Sequence, residues 1–144
     1  MGHCSSIALG IAIAQPSRQV VCIDGDGALL MHMGNMAIIG QSNSNNFIHI
    51  VLNNGAHDSV GGQPTVGYSV DFQGIAKASG YSLVMQAITS KEVETQMTKL
   101  QKYKGTALLE IVVKKGFRQN LGRPTATPVE NKNLLIGFIK GNYE

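Results

Sequence analysis

The 144-residue chain has no tryptophan, only four phenylalanines and four tyrosines, two cysteines, and charged side chains at just 15% of positions. Each shortage excludes something. Cys4 and Cys22 are too few for a disulfide framework and lack the paired spacing of a metal site, so they read as packed thiols in a reducing, cytoplasmic compartment. The longest apolar run, Ile7 to Ala14, falls far short of the roughly 20 residues that cross a bilayer, and no basic residue precedes it as in a signal peptide. No membrane partner is expected. The formal net charge is +3, but Arg18 is the only basic residue before Lys77, so the basic character belongs to the C-terminal half. Lys114, Lys115, Arg118 and Arg123 form a stretch without acids; it lacks the interleaved aromatics and charge excess of a nucleic-acid surface. It reads as a solvated face, and no nucleic-acid partner is expected.

What the chain does hold is 43% hydrophobic residues and 17 glycines in 15.3 kDa, enough for one folded domain with a core of small aliphatics and many tight turns. Helix and strand signals alternate. Ser5 or Ser6 is placed to cap a helix to about Ala14, and Gln19–Asp24 reads as a strand ending in a Gly-Asp-Gly turn. A helix over about Ala28–Asn43, a strand over Phe47–Leu52 and a long loop from Asn53 to about Tyr68 follow. Asp71 can cap a helix through Ala78, Tyr81–Gln86 reads as a strand, Ser90 opens a helix to about Tyr103, and Ala107–Val113 is the last clear strand. A Gly/Pro-punctuated tail leads to a terminal helix pattern over Asn133–Lys140. Near-continuous apolar strands such as Ile48-His49-Ile50-Val51-Leu52 suit a parallel sheet buried on both faces. The expected fold class is α/β, a three-layer sandwich with a mostly parallel sheet.

Ligands of such sheets collect at the carboxyl ends of strands, which points to the loops after Ile23 and Leu52. In Asp24-Gly25-Asp26-Gly27-Ala28, glycines let the backbone approach a ligand and a helix begins at once, aiming free N–H groups at an anion. It is neither a dinucleotide fingerprint, since Leu30 stands where Gly or Ala is needed, nor a P-loop, since the lysine is missing. Alone, the triplet is also consistent with a plain turn. The second loop, Asn53-Asn54-Gly55-Ala56, supplies neutral oxygen ligands. The Asp26 carboxylate, the Asn54 amide oxygen and a nearby carbonyl make half of an octahedral shell, which a diphosphate and water complete in the manner Mg²⁺ prefers.

Gly25-Asp26-Gly27, then residues 28–52, then Asn53-Asn54, resembles the cofactor motif of the thiamine-diphosphate-dependent pyruvate decarboxylase and acetolactate synthase superfamily. The stretch Asn53–Thr65, with Arg118-Gln119-Asn120-Leu121-Gly122-Arg123-Pro124-Thr125, is similar to its phosphonopyruvate decarboxylase branch, with sulfopyruvate decarboxylase nearby. The resemblance implies thiamine diphosphate and Mg²⁺ as cofactors. Asp26, the Asn54 side chain and the Ala56 carbonyl would hold the metal; Gly25, Gly27 and Ala28 would form the diphosphate turn; Asn53 would shape the loop. Met1 would be the apolar wedge that bends the cofactor, or else a plain initiator residue. His57 and Asp58 are the catalytic candidates, with backbone hydrogen bonding and turn capping as the alternative. Arg118 or Arg123 would clamp a second anion on the substrate, or serve a subunit contact. His3, beside Met1, is a weaker candidate, and His49 reads as a satisfied core residue.

The implied reaction converts 3-phosphonopyruvate to phosphonoacetaldehyde and CO₂; a sulfopyruvate decarboxylase beta-type subunit and an acetolactate-synthase-like enzyme are the alternatives. The family's activating glutamate lies on a pyrimidine-binding domain or subunit. None of Glu92, Glu94, Glu110, Glu130 or Glu144 belongs to a recognisable segment of that kind. Residues 1–144 are therefore expected to be a single diphosphate/Mg-binding domain without its first strand or its pyrimidine partner. It would work in a homo- or hetero-oligomer and be inactive alone. From a different class, a phosphate- or nucleotide-binding module without chemistry also fits the first loop.

Overall fold

The computed structural model describes residues 1–141. Helix α1 (Cys4–Ala14) leads to strand β1 (Val20–Gly25), helices α2 (Asp26–Met31) and α3 (Asn35–Gln41), and strand β2 (Asn46–Asn53). A short 3-10 turn at Asp58–Val60 interrupts the following loop. Then come α4 (Phe72–Ser79), β3 (Leu83–Ala87), α5 (Ser90–Lys102), β4 (Gly105–Val112) and α6 (Pro128–Lys140). The four strands form one all-parallel sheet in the order β1-β2-β4-β3. All strand C-termini therefore share one edge.

Two cores lie on the two faces of the sheet. On one, Phe47, Val51, Leu108 and Cys22 pack beneath Leu9 and Ala12 of α1, Met36 and Ile39 of α3, and Phe72 and Ala76 of α4. On the other, Ile48, Ile50, Ala107 and Leu109 are buried with Leu100 of α5, and partly buried Val93 and Met97 of that helix pack against them. Strand residues alternate between these cores because successive side chains point to opposite faces. Burying each large aliphatic or aromatic side chain contributes about 1.5–3 kcal/mol. Asn46 fastens the first layer: its Nδ2 lies 3.0, 3.0 and 2.7 Å from the carbonyls of Ala12, Gln15 and Arg18, holding the end of α1 against the start of β2.

The expected α/β class and parallel sheet agree with this architecture, and several element boundaries differ. The expected helix Ala28–Asn43 is two helices: α2 starts at Asp26 and ends at Met31, and α3 starts after Gly34, a residue that weakens helix continuity. His32 is consequently a helix C-cap rather than an interior residue, and its ring sits 4.6 Å from that of His3. Neither Ser5 nor Ser6 caps α1; His3 occupies the cap without a side-chain hydrogen bond. Asp71 does cap α4, accepting from Gly74 N at 2.8 Å. Helix α6 begins five residues before the expected Asn133, at Pro128, where Thr127 and Glu130 form a capping box.

Candidate active site

Strands β1 and β2 pair in register up to Gly25 opposite Leu52, so the chain leaves both at neighbouring points of the sheet edge. After β1 there is no connecting loop: Gly25 is the N-cap of α2 and Asp26 its first residue. A groove of about 500 Å³ opens here. Asp24, Gly25, Asp26, Gly27 and Ala28 line it from the first turn, and Asn54, Ala56, His57, Asp58 and Ser59 from the second; Met1, Cys4, Leu52, Val113, Lys114 and Gly116 complete it. The structure thus brings together Asp26, Asn54, Ala56, Gly25, Gly27, Ala28, Met1, His57 and Asp58, whereas His3, the weaker candidate, does not line the groove and lies with its ring 4.6 Å from that of His32.

Asp26 is 1% exposed, which is affordable for a carboxylate only with fixed polar partners. The Thr65 hydroxyl donates a short hydrogen bond to its Oδ2, and Thr65 Oγ1 in turn accepts from Gly67 N at 3.1 Å. The loop therefore folds back over the first turn. Gly67 is required for that closure: a Cβ there would overlap Asp26 Oδ2 and come within 2.6 Å of Asn53 Oδ1. On the facing turn, Asn54 Oδ1 accepts from Ala56 N at 3.0 Å and its Nδ2 donates to Asp58 Oδ2 at 2.8 Å. Those two bonds fix which end of the amide is oxygen. An amide oxygen has two lone pairs, so Oδ1 retains one for a cation.

Asp58 Oδ2 also accepts from Gly116 N at 2.6 Å, which ties the 3-10 turn to the segment after β4. His57 packs directly over Gly27: a Cβ at Gly27 would run into the imidazole ring. The His57 backbone is anchored by His57 N donating to Gln63 O at 2.8 Å, whereas its ring Nδ1 is buried without a hydrogen-bond partner. Asn53 is turned away from the groove. Its Nδ2 donates to Gly67 O at 2.8 Å and to Glu110 Oε1 at 2.7 Å, and its Oδ1 accepts from Gly55 N at 3.3 Å, all bonds that shape the loop.

Sequence reasoning missed Thr65, Gly67 and Glu110. Glu110 is a buried carboxylate on β4 that also accepts from Gln73 Nε2 at 3.1 Å and Gln86 Nε2 at 3.2 Å, forming a polar base beneath the loop. Nothing local in the sequence marks it, since its partners come from β2, β3 and α4. Arg123, with Phe117, Gln119 and Leu121, lines a second cavity of about 410 Å³ that shares Asp58 and Ser59 with the groove; Arg118 does not line it. Among the described residues no glutamate lines the groove. Glu92 and Glu130 serve the caps of α5 and α6, and Glu144 lies outside the described residues.

Residues 1–111 match the family described as the thiamine pyrophosphate enzyme, C-terminal TPP binding domain. The chain belongs to that family. It is 37% identical over 139 residues to the phosphonopyruvate decarboxylase of Streptomyces viridochromogenes, a match covering 96% of this chain and 35% of that protein. It is 35% identical over 130 residues to the phosphonopyruvate decarboxylase of Streptomyces hygroscopicus, covering 90% and 32%. Against the sulfopyruvate decarboxylase subunit beta of Methanococcus maripaludis the identity is 29% over 140 residues, covering 97% of this chain and 74% of the subunit. The chain thus spans about a third of the phosphonopyruvate decarboxylases it matches. A solved Mycobacterium smegmatis protein, assigned as a thiamin diphosphate-dependent enzyme, superposes with a TM-score of 0.68 at 22% identity. That match covers 81% of this chain and 22% of the other, and it shows the shared fold. No helix among the described residues is long and apolar enough to cross a membrane.

Proposed function

We propose that this domain is the diphosphate- and Mg²⁺-binding part of a cytoplasmic decarboxylase converting 3-phosphonopyruvate to phosphonoacetaldehyde and CO₂. The observation that carries this reading is the convergence of the Asp26 and Asn54 turns on one groove, with donors suited to a hard cation. The residues fit the cofactor. Asp26 offers a carboxylate held by Thr65, Asn54 an oriented amide oxygen and Ala56 a backbone carbonyl, leaving further positions of an octahedral Mg²⁺ to diphosphate oxygens and water. The missing side chain at Gly25 leaves open space at the start of α2, while the space beside Gly27 is taken by the His57 ring; the N–H groups of Gly27 and Ala28 would meet a diphosphate from the Gly25 side. Met1 lines the same groove, where it would wedge the cofactor into a bent shape.

Thiamine diphosphate, when bound, supplies the electron sink for loss of CO₂ from a 2-oxo acid. The chain's own side chains bind, orient and move protons. His57 lines the groove with its Nδ1 buried and unpartnered against Gly27, so its imidazole is the group that would hold or relay a proton there. Asp58 orients Asn54 and ties the segment at Gly116 to the rim of the groove. Arg123, in the adjoining cavity, is placed to grip a phosphonate on the substrate's C3, and its planar guanidinium suits bidentate contact. The activating glutamate comes from a pyrimidine-binding domain or subunit in a homo- or hetero-oligomer.

A sulfopyruvate decarboxylase is the second reading, favoured by the match over 97% of this chain to a separate beta subunit. Steady-state comparison of the two 2-oxo acids on the assembled enzyme separates them. The cofactor reading is tested by calorimetric titration of that enzyme with thiamine diphosphate, with and without Mg²⁺, against ADP. Mg²⁺-dependent binding of thiamine diphosphate that disappears in Asp26→Ala is expected; equally tight binding of ADP would mean a phosphate-binding module instead.

A further inference from the structure

The face of β1 turned toward α1 carries a second set of metal-ligand side chains, which the groove chemistry does not use. Cys22 and Asp24 are two residues apart on β1 and so share a face, and His49 is the register partner of Cys22 on β2. One ligand atom from each lies within 4.8 Å of the other two, and all three residues are buried. His49, expected to be a satisfied core residue, is only half satisfied. Its Nδ1 meets Tyr81 Oη at 3.2 Å, but its Nε2 has no hydrogen-bond partner. Asp24 Oδ2 is likewise unpartnered: it stands 3.7 Å from His49 Nε2, beyond hydrogen-bond length, although Asp24 Oδ1 accepts from Gly25 N at 3.1 Å. Two facing orphan atoms at full burial call for a third body between them.

We propose that Cys22 Sγ, Asp24 Oδ2 and His49 Nε2 form a binding site for a divalent cation of the Zn²⁺ type, apart from residues 26, 54 and 56. With His49 Nε2 3.7 Å from Asp24 Oδ2 and the ligand atoms of all three residues within 4.8 Å of one another, a common point no more than roughly 2.8 Å from each exists, from which small side-chain shifts reach zinc–ligand bonds of about 2.0–2.3 Å. One thiolate, one carboxylate and one neutral imidazole cancel a 2+ charge, so the filled site adds no net charge to the core. The sulfur donor selects Zn²⁺ over Mg²⁺. The outer contacts also suit it: with Nε2 ligating, Nδ1–H donates to Tyr81 Oη, and burial, with Cys22 adding, keeps that phenol protonated well above its ordinary value. Burial likewise holds the Cys22 thiol up, followed by Cys4 and Asp24, and a cation at the centre reverses that balance. The Cys22 proton leaves to solvent as the S–metal bond forms, without change of oxidation state. Entry is from the groove, which Asp24 and exposed Cys4 both line, and Cys4 Sγ lies 3.5 Å from Cys22 Sγ.

Titration of the fully reduced chain with Co²⁺ tests this independently of the decarboxylase reading, because the groove's metal donors are all oxygen. A thiolate-to-cobalt charge-transfer band at one equivalent, displaced by Zn²⁺, is expected. It should vanish in Cys22→Ser, survive in Cys4→Ser, and require at least about tenfold more metal in His49→Gln. Circular dichroism checks that each variant is folded, and Zn²⁺ should raise the Tm of the wild type but not of His49→Gln. The proposal is overturned by absence of the band at saturating Co²⁺. It is equally overturned by a band that survives Cys22→Ser and disappears with Cys4→Ser.

Discussion

At the scale of single residues, the metal-ligand role proposed for Asp26 depends on two neighbours that never touch the cation. The Thr65 hydroxyl holds one carboxylate oxygen, and the absent side chain of Gly67 leaves room for that carboxylate. Gly67→Ala should displace Asp26 and weaken Mg²⁺-dependent thiamine diphosphate binding about tenfold or more, measured by calorimetry, while the far-UV circular dichroism stays unchanged. An unaltered affinity would show that Asp26 is not a ligand. Asn53→Ala acts differently, because it takes one of three amide donors from the buried Glu110 and should lower unfolding free energy by about 1–3 kcal/mol in urea titration. Asp26 and Asn54 were legible because each sits within a short motif at a strand end. Thr65, Gly67 and Glu110 were not, since their roles arise only when the loop doubles back 39 positions from Thr65 to Asp26 and when β2 and β4 become neighbours.

At the scale of elements, the strands and the amphipathic α5 were readable from apolar runs and periodicity, whereas helix ends followed side-chain caps that are easy to overlook. Thr127-Pro128-Val129-Glu130 carries both the capping box and the N1 proline that start α6, so that boundary was present in the sequence. The break between α2 and α3 has no proline to announce it. Helix α5 offers the clearest energetic test: the Thr89 hydroxyl accepts from Glu92 N at 3.3 Å, and Glu92 Oε2 accepts from Ile88 N and Thr89 N at 2.8 and 2.9 Å. Thr89→Ala should cost about 1 kcal/mol in chemical denaturation. The backbone bonds of Ile88 and Thr89, then the Thr89 side chain, hold the Glu92 carboxyl below its usual range. Its contribution is present at pH values above the ordinary carboxylate range and is lost as pH falls through the lowered folded value. Glu92→Gln should accordingly destabilise the protein at neutral pH and converge with the wild type in acid; a constant difference across that range would remove the cap from the explanation.

At the scale of the whole molecule, the all-parallel sheet sets the site's position and also what the site lacks. Parallel pairing sends every strand end to one edge, so two turns separated by a helical crossover meet there. That much followed from the alternation of elements; the order β1-β2-β4-β3 did not, because near-continuous apolar strands carry no record of which neighbour they pair with. Strand β1 is at the edge of the sheet, and Val21 and Ile23 are 46% and 60% exposed on its outer face. The groove is lined by a histidine, three aspartates and a lysine, but among the described residues by no glutamate. General acid–base assistance contributes about 10²–10⁴-fold in enzymes, so loss of the activating carboxylate alone should leave turnover lower by at least that factor. Purified chain mixed with Mg²⁺, thiamine diphosphate and 3-phosphonopyruvate is expected to release no aldehyde above background, and addition of the pyrimidine-binding domain or subunit is expected to restore it. Turnover by the chain alone at the rate of the assembled enzyme would place the activating carboxylate within these 144 residues and refute the division of labour proposed for the two halves.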